Sequence, residues 1–82
     1  MPIIKRHNGF KLSQMKKGRL YVKGKVFEFR ILKSMGKRYL VFENEAISFS
    51  NFNELFRKLK ERGTQYIIAF DKYGKSYATI AL

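Results

Sequence analysis

The sequence has no cysteine, one histidine and only six carboxylates in 82 residues. Without cysteine there is no disulfide framework, no thiolate zinc site and no cysteine nucleophile, a composition that fits a reducing compartment. The lone histidine, His7, leaves no basis for a Ser-His-Asp or Cys-His arrangement, and beside Lys5 and Arg6 it reads as a solvated surface residue. The carboxylates are Glu28, Glu43, Glu45, Glu54, Glu61 and Asp71. Two-metal hydrolysis gathers about three or more such ligands around an open coordination position. The best pair here, Glu43 and Glu45, reads instead as a solvated strand end. No phosphate-binding loop of the G-x-x-x-x-G-K-[ST] kind is present. These absences argue against an enzyme and against a metal or other cofactor. No run approaches the roughly 20 apolar residues of a membrane-spanning helix, and MPIIKRHNGF lacks the apolar stretch of a signal peptide. A cytoplasmic protein with no membrane role is expected.

What the chain has in excess is positive charge. Lysine and arginine total 18, giving a formal net charge of +12. Residues 1–38 hold twelve of these cations and one acid, Glu28, whereas residues 39–82 hold six cations and five acids. A surface tuned only for solubility intersperses the two signs. Segregation of this degree is the footprint of a polyanionic partner. Charge is densest from Lys16 to Tyr39, KKGRLYVKGKVFEFRILKSMGKRY, where nine cations sit in a strand-like alternation broken by Gly18, Gly24 and Gly36.

A single domain over residues 1–82 is expected, and a chain this short buries roughly 60% of its unfolded surface. Core material is present, at 45% hydrophobic and 16% aromatic. In residues 1–18, Ile3-Ile4 offers the start of a short strand and Asn8-Gly9 is a strong turn signal, and the segment as a whole stays open between two readings. Phe10, Leu12 and Met15 would seat an irregular segment on the core, or the stretch is a basic, partly flexible arm that orders on binding. From Arg19 the period becomes two, and three strands follow: Arg19–Lys23, Val26–Lys33 and Arg38–Glu43. Gly24 and Ser34-Met35-Gly36 mark the turns between them. In Phe49–Arg62, Phe52, Leu55, Phe56 and Leu59 follow helical spacing. Asn51 and Glu54 make a capping pair, with Ser48 and Ser50 as alternative caps, and Gly63 is the expected C′ residue. Gln65–Phe70 and Ser76–Leu82 form a hairpin closed by Asp71-Lys72-Tyr73-Gly74. If the last strand is a free edge, it offers a homodimer interface to a second copy. The order β-β-β-α-β-β predicts a small two-layer α+β domain, an antiparallel sheet with one helix on one face.

Strand parity puts Arg19, Tyr21, Lys23, Arg30 and Tyr39 on the face opposite the helix, with Lys25, Lys33, Lys37 and Arg38 at the adjoining turns. Together with Lys16 and Lys17, these are the candidate nucleic-acid-binding residues: cations for phosphate, tyrosines for stacking on bases or ribose. The expected partner is DNA or RNA, of either strandedness. The alternative is an inhibitor or adaptor of phage or mobile-element type that binds an acidic surface on a protein partner. By element order, the meander followed by a helix resembles the small DNA-binding domains of some integrases, which implies a sheet entering the major groove with the helix behind it. Asn8-Gly9-Phe10-Lys11-Leu12 followed by Lys16-Lys17-Gly18 resembles a short part of the HicA toxin family. There a Gly-Ser-His carries the catalytic histidine, whereas here Gly18 precedes Arg19-Leu20, so a metal-independent ribonuclease ranks last.

Overall fold

The computed structural model describes residues 2–82. The elements run β1 (Ile3–His7), a 3-10 turn (Leu12–Gln14), β2 (Lys17–Val22), β3 (Lys25–Ser34), β4 (Lys37–Phe42), β5 (Glu45–Phe49), α1 (Phe52–Glu61), β6 (Thr64–Phe70) and β7 (Tyr77–Ala81). All seven strands join one antiparallel sheet, in the order β1-β7-β6-β2-β3-β4-β5. The domain is α+β, with the helix on one face.

Two strands go beyond the β-β-β-α-β-β order, and one of them, β1, begins at Ile3-Ile4 and ends at the Asn8-Gly9 turn, where the sequence offers a start and a stop. β5 occupies residues assigned there to a loop and to the start of the helix. Ile47 and Phe49 alternate onto the core with Ser48 between them, and Phe42 pairs with Glu45 across a turn at Glu43-Asn44. Glu43 adopts φ +52, a left-handed conformation that a sequence without glycine at that point does not announce. β1 pairs along its whole length with β7, so β7 lies inside the sheet and the free edges are β1 and β5. With five strands ahead of α1, the likeness in element order to the integrase domains is lost.

Local chemistry accounts for the remaining boundaries. Both meander turns are two-residue loops with successive positive φ, +51 and +82 at Lys23-Gly24 and +52 and +77 at Met35-Gly36. That geometry matches the right-handed twist of a hairpin. Asn51 caps α1, its Oδ1 accepting from the Glu54 backbone N–H at 2.8 Å. Leu55, Phe56 and Leu59 are buried on one side of the helix. They meet Leu20, Phe29, Leu40, Ile47, Phe49, Ile67 and Ile80 from the sheet, with Phe10 and Met15 closing the core from the N-terminal segment. The helix is tied to β5 by Lys58, whose Nζ donates to the Ser48 carbonyl at 2.8 Å, and by the Arg62–Glu45 ion pair.

The β6–β7 turn is organised by Asp71, whose carboxylate accepts from the backbone N–H groups of Tyr73, Lys75 and Ser76. Desolvation raises its pKa, but the backbone donors of Lys75, Ser76, Tyr73 and Gly74 together outweigh this and hold the carboxyl below its ordinary value. A depressed folded-state pKa gives stability that is present above the unfolded carboxyl's range and lost as pH falls through the folded value. Asp71→Ala is therefore expected to destabilise at neutral pH, with the difference from the parent closing below about pH 4. Urea melts at stepped pH check this.

Gly18 lies on the core side of β2, where an added Cβ would run into the Ile68 carbonyl oxygen and stand 2.7 Å from the Phe29 ring. Hydrogen is the only substituent that fits. Gly18→Ala is expected to cost about 1–3 kcal/mol or more, as overpacked core sites do, read as a lower denaturation midpoint at unchanged slope.

Candidate functional site

One helix covers one face of the sheet, and the opposite face is open. Register fixes what stands on it. Along the middle of the sheet, Lys17 of β2 faces Arg30 of β3 on one side and Phe70 of β6 on the other. Two residues on, Arg19 lies between Glu28 and Ile68, and two further, Tyr21 lies between Val26 and Tyr66. β2 is the fourth of seven strands, so this array sits at the centre of the face.

Among the described residues, Lys17, Arg19 and Arg30 form no ion pair. The ion pairs among the described residues are Arg57–Glu61, Lys58–Glu54 and Arg62–Glu45, all involving the helix or the residue after it. Arg19 and Glu28 are register partners without forming an ion pair. Lys17 and Arg30 are like charges directly across a strand pair, an arrangement that destabilises a sheet. Beside them the sheet opens. β3 pairs with β2 from Lys25 to Arg30 but with β4 only from Arg30 onward. Where β3 and β4 part lies an open depression of about 640 Å³ lined by Lys17, Arg19, Arg30, Phe70, Glu28 and Glu43, among others.

Aromatic rings flank the cations. Tyr21 and Tyr66 stack with centroids 4.2 Å apart. On the far side His7 stacks on Tyr77 at 4.2 Å, and Tyr77 lies 6.1 Å from Phe70. His7 is thus half-buried against a ring, where the sequence reading had it solvated. Tyr66, Phe70 and Tyr77 escaped that reading because nothing local announces that β6 and β7 lie beside β2. Only the strand order does.

The other candidates divide. Tyr39 and Lys37 alternate onto the open face with Val41, and Tyr39 faces Leu32 and Ser48. Lys23, expected on that face, sits in the β2–β3 turn with its side chain against Gly63 beyond the helix. Lys25 and Lys33 alternate to the helix side with Phe27 and Ile31. Lys16 is exposed just before β2, one residue out of phase with Lys17. Arg38 also points to the helix side, its guanidinium carbon 5.0 Å from the centroids of both Phe49 and Phe52. Its Nη2 donates to the Ser50 carbonyl at 2.9 Å, so it fastens β4 to the start of α1.

Among the described residues no group of three His, Cys, Asp or Glu side chains gathers as a metal cluster, and no helix is long and apolar enough to cross a membrane. No family model matches the sequence, and neither a curated protein nor a solved structure shows significant similarity to it.

The position of Arg38 separates structural from surface cations. Arg38→Ala is expected to lower stability by about 1–2 kcal/mol through loss of its ring contacts and one charged hydrogen bond. Denaturant melts of this variant beside Lys33→Ala, expected to melt like the parent, check the distinction.

Proposed function

We propose that this protein binds nucleic acid through the open face of its sheet, with Lys17, Arg19 and Arg30 on phosphates and the flanking aromatic rings on bases or ribose. The observation that carries this reading is the uncompensated cation group at the sheet's centre, above all Lys17 directly opposite Arg30. Repulsion there weakens the free protein, and a bound polyanion relieves it. Release of counterions from the ligand adds a further, salt-dependent gain. An acidic protein surface would satisfy the same charges. The rings stacked on both sides favour nucleic acid, because every base offers a π-face and acidic side chains offer none.

Fluorescence anisotropy with labelled DNA and RNA at about 50 and about 200 mM salt tests the reading. Affinity should fall steeply as salt rises. Lys17→Ala, Arg19→Ala and Arg30→Ala should each bind more weakly and lower the slope of log K against log salt by about 1, with melting temperature unchanged or raised. Three variants that bind like the parent would reject this face as the site.

A further inference from the structure

We infer that the ligand of this face is unpaired nucleic acid, a single strand or a loop, and not duplex. The inference rests on the nucleic-acid reading above and names its substrate. Its first ground is size. Lys17, Arg19, Tyr21, Arg30, Tyr66 and Phe70 lie on β6, β2 and β3, the three middle strands of the sheet, in a body whose principal extents are 32, 30 and 22 Å. The major groove of B-DNA is about 12 Å wide and admits a helix or a two-stranded ribbon. This face cannot reach base edges there, and a duplex laid on it would offer only its backbone.

The second ground is what the face presents. Tyr66 and Phe70 are four residues apart on β6, about 13 Å along the strand, with Arg19 and Lys17 alongside on β2. Two rings with Ile68 between them and cations on the neighbouring strand suit a chain in which bases and phosphates are both free to turn toward the protein. Beside Tyr66 on its β7 side stands Ala81, whose methyl group leaves one flank of the Tyr21–Tyr66 stack low enough for a base to lie against it. In a duplex the bases are already stacked on each other and the rings have no partner.

The third ground is Glu28 and Glu43, which line the same depression as Lys17, Arg19 and Arg30. Carboxylates repel the phosphates of a backbone laid over them. They accept hydrogen bonds from the amino groups of unpaired bases, whose pairing edges are free only outside a duplex.

The chain has no tryptophan and five tyrosines, so intrinsic fluorescence reports stacking on tyrosine directly. The test uses a labelled single-stranded DNA of about twelve nucleotides, the matching RNA, and the same sequence as a duplex. Single strands should bind at least about tenfold more tightly than duplex and quench tyrosine emission, as base stacking requires. Tyr66→Leu, which keeps an apolar strand residue, should lose about fivefold or more in single-strand affinity and narrow the gap between single strand and duplex. Tyr21→Leu serves in the same role if Tyr66→Leu melts early. Duplex binding as tight as single-strand binding would overturn this inference and leave the phosphate reading standing. Absence of binding to every probe at low salt would overturn both.

Discussion

Among the described residues a single ten-residue helix lies over a seven-stranded sheet, and the rest of the structure follows from that shortage. The helix is about 15 Å long, while seven strands span about 29 Å from first to last. It covers one face in part, and Phe10 and Met15 must help to close the core. Gly18 gives up its side chain so that Phe29 can lie flat beneath β2. Among the described residues no helix lies over the second face, which carries the alternate side chains of the same strands.

A sheet face in water does not dictate which polar residues it carries. Threonine, glutamine and mixed charges would serve, and opposite charges across strands would stabilise it. The helix side follows that logic: Arg62 meets Glu45, Lys58 meets Glu54, and Arg57 meets Glu61. The open face does not follow it. Lys17 faces Arg30, and Arg19 faces Glu28 without pairing. The same protein thus treats its charges in two ways, compensating them where they brace the fold and leaving them uncompensated at the centre of the free surface.

Much of the architecture was legible in the sequence because its signals are local. Phe52, Leu55, Phe56 and Leu59 set the helical phase, Asn51 and Gly63 bound it, and Gly24 and Gly36 mark hairpins whose flanking strands alternate. The misses arise where a local signal was shared or absent. Phe49 lies three residues before Phe52, so it extends the helical pattern backward and hides its place in β5. Ile3-Ile4 and the Asn8-Gly9 turn bracket β1, but Lys5, Arg6 and His7 are polar on both faces, so its length and its place beside β7 come from pairing. Of the candidate site, β2 and the start of β3 could be read from alternation. Lys33 and Arg38 share the phase of Phe29 and Ile31 and of Leu40 and Phe42, so alternation carried to the strand ends gives their side, whereas Lys23 lies in a turn where alternation stops.

The aromatic half of the face depends wholly on strand order. Tyr66, Phe70 and Tyr77 come from the part of the chain that carries almost no net charge, and the cations come from the part that carries almost all of it. Pairing β6 with β2 brings the two sets into adjacent columns, Phe70 beside Lys17 and Tyr66 beside Tyr21. Charge segregation along the chain therefore becomes a group of cations with rings beside it on the surface. A surface of cations alone would attract any polyanion equally. On the proposed reading, rings beside the cations would add discrimination, because a ligand carrying flat, unpaired bases gains from both.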